Sequence, residues 1–352
     1  MPLPVMRVAT TDITDMMSPG PERRMALPGF AEEFVDFPHY IIRITDRIWH
    51  DRAVELCLDW YAEDCAIHTL AGPITGAQTV VDNTWATLAA FPDRRLDGDN
   101  VIWSDEGDGS FLSSHLITSK MTNLGDSDFG PATGKRVLVR TIADCLCRAN
   151  RIVEEWLVRD NLALVEQLGF APAEVAARQA ARDAARGVPL VAVLAPYRDL
   201  ARAGDDAVPE SEAQAIATDL LRACWQDGDD ARAAALSDFR LGAWVPGGRF
   251  LYGPDGHAEW RSPIRAAFGP DARLRIEHIA EVPYLGEARD VALRWSLAGW
   301  HKGDGRYGAT TGVPLLIMAV SHFRVIGGRV REEVTIWDDI AVRRQIAGHA
   351  AA

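Results

Sequence analysis

The 352-residue sequence predicts an α+β protein of two tandem domains, each a curved antiparallel sheet closed by helices. Three observations carry that prediction. The stretch 152–169, IVEEWLVRDNLALVEQLG, has a twin at 330–348, VREEVTIWDDIAVRRQIAG. A single offset of 178 residues carries Glu154 to Glu332, Glu155 to Glu333, Asp160 to Asp338 and Gln167 to Gln345. It also carries Thr133-Gly134 to Thr311-Gly312 and Gly125-Asp126 to Gly303-Asp304. In each half, segments with helical periodicity precede segments that alternate like strands. The length, finally, is natural for two domains that each bury a core.

The first element, an irregular arm over 1–38, shows Met, Pro and scattered charge with little periodicity. The first domain spans 39–171. Ile41, Ile44, Ile48, Val54, Leu58 and Tyr61 recur at helical spacing and predict two helices broken near His50-Asp51. A strand starts at Asp64, Gly72 to Gly76 is turn chemistry, and 78–90 is a third helix ended by Phe91-Pro92-Asp93. Strands follow at 96–103, 110–121, 136–147 and 152–160. The Ala/Arg-rich linker, 172–209, is broken by Gly187, Pro189 and Pro196 and is helical in part. The second domain, 210–352, repeats the plan: helices at 210–225 and 227–237, then strands at 239–245, 273–280, 291–301, 315–325 and 330–338. Ala266-Ala267-Phe268 matches Ala89-Ala90-Phe91 at the end of the third helix.

Composition excludes several functions. Net charge is −13 and no long Lys/Arg run interrupts it, so a nucleic-acid surface is not expected. The five cysteines (Cys57, Cys65, Cys145, Cys147, Cys224) form no CxxC pair and no even framework, as for reduced thiols in a cytoplasmic protein. No His/Cys cluster has zinc spacing, so no metal is expected. No apolar run approaches the ~18 residues of a membrane span. The N-terminus, with Asp12 and Asp15, lacks the order of a signal peptide.

The hairpin between the last two strands sets which side chains share a face. A three-residue loop, Arg148-Ala149-Asn150, with Asn150 left-handed, pairs Cys147 with Arg151. Asp144 then stands opposite Glu154, and His322 opposite Glu332. Asp144, Glu154, Trp156 and Asp160 share one face, as do His322, Glu332 and Asp338. A two-residue loop would slip the register and regroup them. Asp160, between Val158 and Leu162, sits where burial raises a carboxyl pKa toward the range of a general base; the plainer reading is an Asp bonded to backbone at a strand end. Asp144 beside Glu154 is either a carboxyl pair or part of a network with Arg140. His322 beside Glu332 is either an oriented imidazole working with Asp338 or a satisfied core histidine. Trp85, Trp103 and Trp156 are core residues or an apolar wall for a ring-shaped ligand.

The segments SHLITSKMTNLG (114–125), FGPATGKRVLVRTIADC (129–145) and RIVEEWLVRDNLALVEQLG (151–169) resemble the SnoaL-type polyketide cyclases and their ester cyclase relatives, of the nuclear transport factor 2-like superfamily. The likeness covers 40–169 and, more faintly, 210–348. It implies a cone-shaped sheet and cofactor-free acid/base chemistry, an aldol-type cyclisation or isomerisation of a small apolar carbonyl or enol compound. Asp160 and Asp338 correspond to the general acid/base, and Asp144 and His322 to the assisting position. His68, His115, Trp85, Trp156, Glu154, His301 and Glu332 are the candidate pocket residues. Relatives often read S-H-R-x-T-G-T-H where this chain reads Ser114-His115-Leu116-Ile117-Thr118-Ser119-Lys120-Met121, without the Arg, the Gly or the second His. By the offset Arg294 stands at the place of Leu116, and His301 lies near that of the absent His. The expected partner is a small molecule in the cone, with neither nucleic acid nor membrane. The two copies are expected to form an intrachain pseudo-dimer, with a homodimer of the whole chain also open. A non-catalytic binding or scaffolding protein, or an epoxide-hydrolase-like enzyme, are the competing readings. An open cone favours an enzyme, and a cone filled by side chains favours a scaffold.

Overall fold

A computed structural model describes residues 13–302 and 305–350. Asp12, the first third of the expected arm and the Gly303-Asp304 member of the repeat lie outside the described residues. The first sheet comprises β1 (Tyr61–His68), β2 (Ile74–Thr75), β3 (Arg95–Asp105), β4 (Ser110–Thr122), β5 (Arg136–Arg148) and β6 (Arg151–Arg159), in the order β2-β1-β6-β5-β4-β3. The second comprises β7 (Ser237–Val245), β8 (Arg249–Tyr252), β9 (Arg273–Pro283), β10 (Arg289–Trp300), β11 (Pro314–Ile326) and β12 (Arg329–Trp337), in the order β8-β7-β12-β11-β10-β9. The two have one topology. Neither is purely antiparallel as expected: β1 runs parallel to β6, and β7 to β12. A parallel pair needs a long crossover, and here the intervening helix and four strands supply it.

Helices cover one face of each sheet. The first is Phe37–Thr45, started by Asp36, whose carboxylate accepts from His39 N–H at 2.8 Å. A π turn, Asp46–His50, continues it, and the chain breaks where the sequence predicts. Glu212–Leu221, capped by Ser211, and the π turn Arg222–Asp227 repeat this in the second copy. Ala77–Ala90 and Gly253–Ala267 are the matching third helices. Each copy then ends in a helix that starts right after the late Asp: Asn161–Leu168 and Asp339–Ala350. The linker helix Pro172–Ala185 packs along the last of these, tied by the Arg344–Asp183 ion pair at 2.5 Å. Among the described residues no helix is long and apolar enough to cross a membrane.

The hairpin corrects the expected register. Its loop has two residues, Ala149 (φ 46°) and Asn150 (φ 68°), and the second copy uses Gly327 (φ 56°) and Gly328 (φ 72°). Two left-handed residues match the right-handed twist of the flanking strands, and Ala149 takes that conformation despite its Cβ. Arg148 therefore pairs with Arg151 and Cys147 with Ile152, after which a bulge shifts the register so that Leu146 pairs with Glu154. Asp144 stands opposite Trp156, not Glu154, and His322 opposite Val334, not Glu332. The bulge restores the parity of the strand, so Asp144, Glu154 and Trp156 do share a face. Asp160 has left the strand and shares no sheet face with them.

That shared face is the one between the copies. Leu116, Ile142 and Val158 of the first copy meet Val320 and Ile336 of the second. Ile142 and Val320 are equivalent by the 178 offset, as are Val158 and Ile336, so both copies offer the same patch to each other. The opposite face of each sheet curves around a lumen under the helices.

Candidate functional site

The lumen of the first copy is an open cavity of about 900 Å³. Strand alternation decides what faces it. His115 and Ile117 on β4, Thr141 and Ala143 on β5, and Glu155, Leu157 and Arg159 on β6 point inward, beneath Ile44, Trp49 and Thr84 of the helices. Glu154 and Trp156, one residue out of phase with Glu155, point the other way.

Glu155 is 5 % exposed. Burial pushes its carboxyl up to about 7, against the pull of the Arg159 guanidinium and the Tyr61 hydroxyl. Burial likewise holds the Tyr61 hydroxyl protonated. Arg159 is open to the cavity yet deep in the fold, so desolvation lowers its pKa while Glu155 and Asp338 raise it. Arg94 is brought down to about 9 by burial and by the charge of Arg159. His115 is buried, with Nε2 unpartnered and packed where a Cβ on Gly98 would stand 2.8 Å away. Burial drops its pKa to about 4, so the ring is neutral at pH 7.

The two late aspartates differ. Asp338, from the second copy, lines the mouth of the first copy's cavity. It caps the last helix by accepting from Ala341 N–H at 3.0 Å, and it also accepts from Asn161 Nδ2. Burial raises it to about 6, against those donors. Asp160 is not a lining residue. It caps the Asn161–Leu168 helix through Ala163 N–H (3.0 Å) and clamps the β7–β8 turn through the N–H groups of Gly247 (2.8 Å) and Gly248 (2.8 Å). Burial pushes it up to about 6 as well, opposed by those N–H groups.

The remaining candidates lie outside the lumen. Asp144, on the face between the copies, pairs with Arg294 at 3.3 Å, and Arg294 also meets Glu277 at 3.4 Å. The Arg294 guanidinium lies 3.6 Å from the Trp156 ring. His322 accepts or donates across the same face to Ser114 Oγ at 2.8 Å, and burial lowers its pKa to about 3. His68 bridges Glu154 (2.8 Å) and Tyr197 of the linker (2.7 Å) and stacks on Trp156. Trp85 faces solvent beside Glu55. His301 is buried against Thr311 Oγ1 at 2.9 Å, and Glu332 pairs with Arg324 at 2.7 Å. Of the residues named from the sequence, His115 and Asp338 therefore line the cavity. Glu155, Arg159, Arg94 and Tyr61 were not singled out. Their one sequence signal was Glu155 itself, the second Glu of a pair repeated at Glu333.

The second copy's lumen is occupied. Where the first has His115, Ile117, Cys145 and Arg159, the second has Leu293, Trp295, Phe323 and Trp337, all buried. Trp225, from the π turn, stacks on Trp295 (5.7 Å) and meets Trp337 edge-on (5.6 Å). Glu333 lies 3.6 Å from His257 and accepts from Thr335 Oγ1 at 2.6 Å. Burial would raise Glu333, but His257 and Thr335 outweigh it and hold the carboxyl below its usual range.

Among the described residues no three His, Cys, Asp or Glu side chains are grouped to hold a metal ion. A family model described as SnoaL-like polyketide cyclase matches residues 39–168 and again 215–346. No curated protein matches the chain. Solved structures similar to it include IdmH from Streptomyces antibioticus, 23% identical over 37% of this chain and 96% of that one, with a TM-score of 0.32. A SnoaL-like polyketide cyclase from Agrobacterium tumefaciens is 19% identical over 37% of this chain and 95% of its own, with a TM-score of 0.32. TsrD from Streptomyces laurentii is 18% identical over 38% of this chain and 94% of its own, with a TM-score of 0.33.

Proposed function

The chain belongs to the SnoaL-like polyketide cyclase family, and from that premise we propose that its first copy is a cofactor-free acid/base enzyme site and its second copy the structural partner. One observation carries this reading: the first lumen is an open cavity of about 900 Å³ holding a buried carboxyl with a pKa of about 7, while the second is packed with tryptophan. A general base works best when its pKa lies near the operating pH.

Glu155 is the base in this scheme. Its carboxylate takes an α-proton from a β-dicarbonyl compound, and the electron pair of the broken C–H bond becomes an enolate. For ring closure the enolate carbon attacks a second carbonyl of the same molecule, and the alkoxide so formed recovers the proton from Glu155. For isomerisation the proton returns at another carbon instead. Arg159 and the Tyr61 hydroxyl face the same space and stabilise the developing oxyanion. The apolar wall of Ile44, Ile117 and Leu157 excludes water and accommodates the hydrocarbon part of the substrate. Asp338 stands at the mouth as a second titrating carboxyl. The four N–H contacts of Asp160 support a capping and clamping role for it. The second copy acts as a built-in subunit, as the expected pseudo-dimer would, bracing the mouth through Asp338.

The test is turnover of a panel of β-keto esters, 1,3-diketones and epoxides by the wild type and by Glu155→Gln, Asp338→Asn and Asp160→Asn. Loss of about 10²–10⁴-fold in Glu155→Gln is expected. Unchanged turnover in that variant removes Glu155 as the base and returns the role to the aspartates, and turnover of epoxides alone makes the protein a hydrolase.

A further inference from the structure

Two guanidiniums stand in the first copy's lumen with no carboxylate in contact. Arg94, in the turn before β3, and Arg159, the last residue of β6, both line the cavity. Among the described residues neither forms an ion pair. Arg94 reaches Ser119 Oγ at 3.4 Å and leaves Nε without a partner. Arg261, Arg294 and Arg324 are by contrast matched, by Asp230, by Asp144 and Glu277, and by Asp290. Arg94 is half-buried and Arg159 is exposed to the cavity, and the charge of Arg159 disfavours that of Arg94, so an anion placed between the two guanidiniums would relieve their repulsion. The rest of the lining is mixed: an apolar part that includes Ile44, Ile117 and Leu157, the carboxyls of Glu155 and Asp338, and, on outer segments, Asp126, Asp128, Arg186 and Arg344. The second copy, whose lumen is filled, has Trp337 in place of Arg159.

We infer that the first copy's cavity takes a substrate bearing a free carboxylate, held by Arg94 and Arg159, with its carbon skeleton against the apolar wall. This rests on the first copy being the substrate site. Planar guanidinium groups match a carboxylate in geometry as well as charge. The substrate class is accordingly a keto acid with a ring or ring-forming chain, and not the corresponding neutral ester. Anchoring the acid beside Arg159 holds the rest of the molecule near Glu155, on the same strand.

The test is calorimetric titration of the intact chain with 2-naphthoate and with its neutral isostere 2-naphthamide. The acid is expected to bind at least about tenfold more tightly than the amide, as one charge-assisted contact worth roughly 1.4 kcal/mol would give. Arg94→Met and Arg159→Met should each erase that preference, while Arg94→Lys retains part of it. Equal binding of acid and amide by the wild type, no binding of the acid, or a preference untouched in both Met variants overturns the inference. Because binding is read without turnover, the two readings fail separately. An acid preference in a protein that turns over neither that panel nor the corresponding free keto acids defeats only the enzyme reading. Turnover of esters without an acid preference defeats only this one.

Discussion

Glu155 and Glu333 are the same residue of the same strand in two copies of one fold, and they have opposite surroundings. In the second copy the third helix sets His257 against Glu333, and three tryptophans take the remaining space. In the first copy the matching helix position, counted from the shared Ala-Ala-Phe end, is Val80, so that helix offers Glu155 no imidazole there. The second copy neutralises its glutamate internally and gains a core. Among the described residues the first leaves its glutamate without an ion-pair partner, and it keeps the space open. A lumen of this kind can hold either an internal ion pair with aromatic filling or a ligand, because both need the same volume.

The strongest way to break that contrast is to remove each carboxylate in turn. Glu155→Gln should lower turnover by about 10²–10⁴-fold without lowering stability, and should raise stability above about pH 7, where the wild-type carboxyl ionises at a cost. Glu333→Gln should leave turnover intact and lower stability by about 3 kcal/mol, because His257 is left buried without its partner. Steady-state kinetics and urea denaturation separate the two, and a loss of activity from Glu333→Gln alone would reverse the assignment of copies.

The next test exchanges bulk. Trp337→Ala opens a hole in the filled lumen and should cost about 3–5 kcal/mol. Arg159→Ala, at the matching position, removes a side chain exposed to an open cavity and should leave thermal stability nearly unchanged. Equal destabilisation by both would mean that the first lumen is also a packed core.

The two glutamates should also tilt the pH–stability curve in opposite directions. Glu155 has a raised folded pKa, so its contribution is fully present below about 4.5 and is lost as pH rises through about 7, on the order of 3 kcal/mol. Glu333 has a lowered one, so its contribution is present above about 4.5 and lost as pH falls below that. Denaturation at pH 4.5 and pH 7.5 should lose the first slope in Glu155→Gln. Activity runs the other way for Glu155: kcat/KM should rise with pH through about 7, since the base must be ionised.

The smallest expected difference lies in the hairpins. Ala149→Gly should stabilise the first by about 1 kcal/mol by relieving a left-handed alanine, and Gly327→Ala should destabilise the second by a similar amount. Thermal melts of the single variants check this.

The repeat of Glu154-Glu155 and Asp160 at Glu332-Glu333 and Asp338 was enough to establish two copies, and alternation placed all four long strands of each sheet, because periodicity is a local property that any chain must satisfy to bury one side of an element. Asp338 and His115, which line the first cavity, were named from the family resemblance and not from periodicity. Which face of the sheet is the lumen was not legible. Both faces are buried, one under helices and one between the copies, so Ile142 and Asp144 on one side look no different in sequence from Thr141 and Cys145 on the other. A one-residue bulge after Ile152 and a left-handed Ala149 then decided that Glu155, not Glu154, points inward. Asp160 was drawn away from the lumen by the N–H groups of Gly247 and Gly248, which are distant in sequence. Local pattern specified the strands; only tertiary packing, which brings the second copy against the first, decided which side of them meets a ligand.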